Sequence, residues 1–206
     1  MMNSRELEEA LKTHPDTRNV FVSSSPSDGL PNKARKRKPC AYIANTSPTG
    51  HPGTHWVCFY FEKKGKKEFF DSYGRTAQRR EFCDFLNNSN NTDNDAGRGG
   101  KEYIFNDKTL QSQVSTVCGQ YCMAFVLARA RGKSLTEFTK QFSKKRKQLI
   151  ENDRKVNVLA KKEFKIRKKI LDHKFLLNQI QRHLMQRCSD GGGKKKQSTV
   201  CKRKHQ

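Results

Sequence analysis

The chain has no apolar run approaching the roughly 18 residues that would span a bilayer. Its first residues, MMNSRELEEALK, contain no apolar stretch of the kind that opens a secretory signal. A membrane protein and a secreted protein are therefore not expected. No C-x2-C pair occurs, and the seven cysteines (Cys40, Cys58, Cys83, Cys118, Cys122, Cys188, Cys201) are odd in number. They read as reduced thiols of a nuclear or cytoplasmic protein. Internal repeats are absent. Acidic residues are scarce, 20 Asp+Glu against 43 Lys+Arg, for a formal net charge of +23.

That charge is uneven. Residues 141–206 hold 21 Lys+Arg and 5 Asp+Glu (+16), and residues 1–140 hold 22 and 15 (+7). The first part reads as a mildly basic globular domain and the second as a basic extension suited to polyanions. Hydrophobic content is 33% of the 206 residues, enough for one core if the extension is left out of it.

The chain is organised around Leu110–Arg131, LQSQVSTVCGQYCMAFVLARAR. It starts polar, passes Cys118-Gly119, and becomes an apolar helix-like run stopped by Gly132. Cys118 thus sits where a loop enters a buried helix, where free backbone N–H groups and the helix dipole stabilise a thiolate. A thiol there can equally be an inert core residue, so its partners decide.

Before it, Asn3–Glu6 resembles a capping box for a short helix with Leu7, Ala10 and Leu11 at helical spacing. Residues 16–39 read as a surface loop ending in the basic run KARKRK (33–38), a candidate import or phosphate-binding patch or a solvated face. CAYIAN (40–45) is a short strand and TSPTGHPG (46–53) a turn. HWVCFYFE (55–62) is apolar on both faces, with Trp56, Cys58 and Tyr60 opposite Val57, Phe59 and Phe61. It reads as a central strand covered on both sides. Lys63–Lys66 turns it into a hairpin partner, KEFFD (67–71). A helix is expected over 76–86, a flexible loop over 87–100, a strand at 103–105, and a capped helix from Ser134. The helical pattern resumes at Asn152. The order predicts a mixed α+β layer fold: a small central mixed sheet flanked by helices, with the key Cys at the N-terminus of a buried helix.

Two residues raise Cys118 above a core thiol. In an antiparallel hairpin the start of one strand lies beside the end of the next, which brings His55 and Asp71 to one edge. A carboxylate beside an imidazole fixes its tautomer and stabilises the imidazolium. Gln111 or Gln113, just upstream, could join the backbone N–H of Cys118 in cradling an oxyanion.

THW (54–56), FFDSYG (69–74) and Q-x3-S-x2-CGQYC (111–122) resemble the adenovirus-type endopeptidase, adenain, and the ubiquitin-like-protein-specific cysteine proteases that share its papain-like fold. The likeness extends to adenain-like proteases of Maverick/Polinton-type DNA elements and related DNA viruses. It covers roughly residues 5–165. It implies Cys118 as nucleophile, His55 as general base, Asp71 as the residue orienting the His, and Gln111 in the oxyanion hole, with Gln113 the alternative. Trp56 and Gly119 are expected to line the cleft. The implied activity is cysteine endopeptidase cleavage after Gly-containing sites, on viral or transposon structural precursors. It would proceed without a metal or required cofactor, with DNA as a candidate activator through the basic C-terminal region. The position of adenain's cofactor-linking Cys falls near Gly100, so no covalent peptide cofactor is expected. The partner is a protein or peptide substrate, not a membrane, and the location is nuclear or cytoplasmic, or the virion if the chain is viral.

The expected organisation is a protease domain over 1–160, a basic amphipathic helix over 161–187, and a disordered basic tail over 188–206. Within that tail, Gly191–Gly193 is a candidate self-cleavage site. Three rivals stand beside the protease: a zinc site from His51, His55, Cys118 and Cys122, a non-catalytic nucleic-acid-binding protein, and a deconjugase of ubiquitin- or SUMO-like proteins.

Overall fold

A computed structural model describes residues 2–89 and 103–164 of the chain. These fall in one compact unit. The basic helix expected over 161–187, beyond Phe164, and the tail with its glycine run lie outside the described residues.

The described elements run α1 (Ser4–Thr13), β1 (Phe21–Ser25), β2 (Cys40–Asn45), β3 (Trp56–Phe61), β4 (Lys67–Phe70), α2 (Arg80–Asn88), β5 (Ile104–Phe105), α3 (Cys118–Ala130), α4 (Leu135–Thr139) and α5 (Leu149–Phe164). The five strands form one sheet in the order β1-β2-β3-β4-β5. The outer pairs β1/β2 and β4/β5 are parallel, and the inner pairs are antiparallel. This is the expected α+β fold with a mixed sheet and flanking helices.

Alternation along β3 builds the two layers. Trp56, Cys58 and Tyr60 face a core made with α1, α3, α4 and α5. Val57, Phe59 and Phe61 face a second core made with Phe82, Phe85 and Leu86 of α2. Both faces are dry, which is why the strand reads as a continuous apolar run rather than an alternating one. Phe125 of α3 stacks on Phe70 at 4.8 Å and meets Tyr60 edge-on at 6.3 Å. Each such buried aromatic contributes about 2–3 kcal/mol. All of α3 except Gln120 and Ala130 is buried, so its burial has no helical stripe.

Local chemistry sets the ends. Asn3 and Glu6 close a capping box on α1, and Ser134 and Glu137 do the same on α4. At the β3–β4 turn Gly65 takes φ +84°, a region that L side chains avoid.

Three boundaries differ from the sequence reading. The stretch read as a loop over 16–39 contains β1, whose FVSSS is mostly half-buried and pairs with β2 on one side only. An edge strand needs no apolar alternation, so the pattern was weak. The helix expected from Thr76 starts at Arg80, and the one expected from Asn152 starts at Leu149.

Candidate active site

The site is assembled at one end of the β3–β4 hairpin and of α3. His55 immediately precedes β3, and its carbonyl accepts from Thr46 N–H at 2.8 Å, which continues the β2–β3 ladder past Trp56. The loop leading into it is pinned by buried Asn45, whose Oδ1 accepts from the N–H groups of Ser47 (2.9 Å) and Thr54 (3.2 Å). Asp71 is the first residue past β4. With Cys58 paired to Phe70, Asp71 lies one step further on, opposite Val57, and the imidazole reaches it diagonally.

The His55 Nε2–H donates to Asp71 Oδ1 at 2.6 Å. The same Oδ1 accepts from Tyr73 N–H at 2.8 Å. Asp71 is itself fixed by its main chain: its N–H donates to Asn106 Oδ1 (3.0 Å), and Asn106 Nδ2 donates to its carbonyl (2.6 Å). Gly74 completes the turn at φ +72°, and a Cβ there would meet the Lys108 carbonyl carbon at 2.5 Å. The Tyr73 ring lies against the imidazole at 4.7 Å.

With Nε2 committed to Asp71, Nδ1 is the ring nitrogen left, and Cys118 lies near enough to favour the protonated ring. Burial disfavours the imidazolium, yet the hydrogen bond to Asp71, the nearness of Cys118 and the charge of Asp71 outweigh it. The His55 pKa is pushed up to about 9. Cys118 is 1% exposed and His55 8%. Cys118 opens α3, so its N–H is one of the first-turn donors without an intrahelical acceptor.

The two candidate oxyanion glutamines part company. Gln111 is 1% exposed and its amide is locked. Its Oε1 accepts from Ser72 Oγ at 2.6 Å, and its Nε2 donates one hydrogen to Ser115 O at 3.0 Å, leaving the second. Gln113 is exposed on a different surface, with Lys108 and Lys144. Trp56 lines a cavity of about 440 Å3 with Asn45 and Ser47, and its indole N–H donates to the Met2 carbonyl at 3.0 Å. Gly119 is buried: a Cβ there would sit 3.4 Å from both the Trp56 ring and Met2. Its smallness serves helix–sheet contact.

The four residues of the zinc alternative are not gathered as a ligand set. His51 is exposed while Cys122 is fully buried, its thiol pushed well up by burial. Among the described residues no group of three or more His, Cys, Asp or Glu is placed to hold a metal ion. No described helix is long and apolar enough to cross a membrane.

Several supporting residues gave no sequence signal. Asn106 is one polar residue after a two-residue strand. Asp153 on α5 accepts from Ser112 N–H (3.1 Å) and Tyr121 Oη–H (3.1 Å), which fixes the loop between Gln111 and Cys118. Burial raises the Asp153 pKa although those hydrogen bonds oppose it.

No protein-family model matches the chain, and no curated protein matches it. Among solved structures, the chain is similar to the ASFV pS273R protease. The TM-score is 0.51 at 16% identity, covering 75% of this chain and 66% of that one. A second crystal structure, of its Se-Met form, aligns over 56% of this chain and 44% of that one at 18% identity and TM-score 0.34. The first likeness shows the fold, that of the ASFV pS273R protease. This chain spans just under two thirds of the length of that protein.

Proposed function

We propose that the chain is a cysteine endopeptidase of the adenain-like kind, with Cys118 as nucleophile, His55 as acid–base, Asp71 as its orienting carboxylate, and Gln111 with the Cys118 N–H as oxyanion donors. One observation carries this reading. A buried imidazole is held by a carboxylate through Nε2 at 2.6 Å, and a thiol at a helix N-terminus lies near enough to favour its charged form. Buried charge networks of that composition are costly and have little use in a merely structural core. The ASFV pS273R protease, on the same fold, supports it.

The chemistry follows from the geometry. The Cys118 proton passes to His55 Nδ1, giving thiolate and imidazolium. Sulfur attacks the peptide carbonyl carbon and a C–S bond forms. The carbonyl π electrons move onto oxygen, which accepts from the Cys118 N–H and the second Nε2 hydrogen of Gln111. Collapse breaks the C–N bond, and the Nδ1 proton leaves with the amine. Water, deprotonated by Nδ1, then attacks the thioester, releases the acid and restores the thiol.

The near-complete burial of Cys118 favours a residue without a side chain before the scissile bond, and hence Gly-containing sites. Processing of viral or transposon structural precursors, as in Maverick/Polinton-type elements, is the substrate class this reading expects, in the nucleus, cytoplasm or virion. The +23 charge supports stimulation by DNA.

The test is cleavage of Gly-Gly-X peptides, alongside ubiquitin-like precursors, by the full chain and by Cys118→Ala, with and without duplex DNA. Cleavage of the peptides that vanishes in the variant supports the assignment. Equal cleavage by both proteins overturns it. DNA acceleration that fades with salt supports the activator role.

A further inference from the structure

The catalytic pair has a second neighbour that this mechanism does not use. A cavity of about 350 Å3 opens directly on His55, Asp71 and Tyr73, and its far wall carries Arg75 and Arg79. It shares no lining residue with the cavity beside Trp56. Its charge is one-sided. Asp71 is the carboxylate among its described lining residues, and its Oδ1 is already taken by His55 and by Tyr73 N–H. Arg75 lies over the Tyr73 ring at 5.1 Å, and that ring lies on the imidazole. Arg79 is half-buried, and its Nε is sealed from solvent without a hydrogen-bond partner among the described residues. Asp28 feels the Arg79 charge, but it is exposed and already accepts from the Thr49 N–H and hydroxyl.

A cavity lined by two guanidinium groups, whose one described carboxylate is already engaged, is suited to an anionic side chain. The position of the cavity says where that side chain comes from. In the proposed reaction His55 hands its proton to the departing amine, so the chain that follows the scissile bond passes the imidazole on which this cavity opens.

We infer that this cavity is the leaving-side specificity pocket, and that it selects an acidic side chain one or two residues after the scissile bond, held by Arg79 and Arg75. The inference rests on the protease reading and adds to it a preference on the side of the bond away from the Gly residues. An Asp or Glu carboxylate in the cavity would accept from the guanidinium of Arg79, through hydrogens other than the sealed Nε–H, in a charge-assisted hydrogen bond. A Lys or Arg there would face two fixed cations.

The experiment uses the full chain and peptides with one acyl side, carrying Glu, Gln or Lys at the first or second position after the scissile bond. Competition between pairs gives ratios of kcat/KM. An iodoacetamide probe reports Cys118 reactivity in parallel. The expected Glu-to-Gln ratio is about five to ten. It falls toward one at high salt. It is lost in Arg79→Gln and inverted toward Lys in Arg79→Glu, with Arg75→Gln giving a smaller loss. Cleavage with no acidic preference, or a preference that survives both Arg79 variants, overturns the pocket and leaves the protease standing. No cleavage of any peptide together with an unreactive Cys118 overturns the protease reading, and the pocket falls with it.

Discussion

The two ends of α3 each carry a buried ionisable group whose pKa is raised, for opposite reasons. At the N-terminal end His55 rises to about 9 against the effect of burial, because Asp71 and Cys118 favour its charged form. At the C-terminal end Glu68 rises to about 7 because burial disfavours its charged form. Arg129 opposes that rise and Glu62 adds to it. The Arg129 guanidinium is shared: its Nη2 is given to Glu62, its plane lies on the Tyr60 ring at 4.4 Å, and its Nε approaches Glu68 Oε2 at 2.9 Å, off the axis of a hydrogen bond. At the His55 end the buried Oδ1 of Asp71 has aligned donors. At the other end a carboxylate and a guanidinium nitrogen are left misaligned. A raised pKa is therefore no mark of a working site by itself. The cause of the shift separates a group poised for proton transfer from one that is merely short of solvent.

Substitutions at the two ends should separate in the same way. Cys118→Ala is expected to reduce peptide cleavage by at least about 10^4-fold with little change in thermal midpoint; residual turnover above that level would break the comparison. Asp71→Asn should cut kcat/KM by roughly 10^2–10^3-fold. It should also bring the alkaline limb of the pH–rate profile down from about 9 toward the ordinary histidine range, because the partner raising the His55 pKa is gone. A limb that stays in place would show that Asp71 does not hold the proton. Gln111→Ala should lower kcat by about 10^2-fold. Gln113→Ala should leave it unchanged, and the reverse result would transfer the oxyanion role.

The smallest effect belongs to the other end. The folded-state pKa of Glu68 lies above the ordinary carboxylate value of 4.5. Its stabilising contribution is therefore complete below about 4.5 and is lost as pH rises through about 7. For His55 the corresponding loss runs between 6.5 and about 9. Glu68→Gln should leave cleavage intact and flatten the lower window, raising stability near pH 8 by about 1–3 kcal/mol. Urea unfolding at pH 4.5 and pH 8 checks this. A variant whose stability falls over that range as the parent's does would show that Glu68 is not the titrating group.

The His55 end was more legible in the sequence than the Glu68 end, for reasons tied to particular residues. His55, Asp71 and Cys118 announce themselves because a hairpin fixes which strand ends meet, and because a Cys before a glycine and a long apolar run marks a helix entrance. The continuous apolar run of β3 revealed its two covered faces. Asn106 gave no sign, since its task is to hold the Asp71 main chain from 35 residues away. Nothing near Glu68 in the sequence pointed to Arg129, because their pairing depends on how α3 lies across β4. The edge strand β1 was missed because its half-buried FVSSS carries no alternation.

Local pattern by itself determined the α+β class, the central strand with its two faces, and the His, Asp and Cys of the candidate site. Those depend on periodicity and turn chemistry, which a short window of residues contains. The burial of Gln111 and exposure of Gln113, the orientation of the imidazole, and the basic cavity behind it were decided only by tertiary packing. Each depends on which groups are removed from water together. That is a property of segments far apart in the chain, and no local window records it.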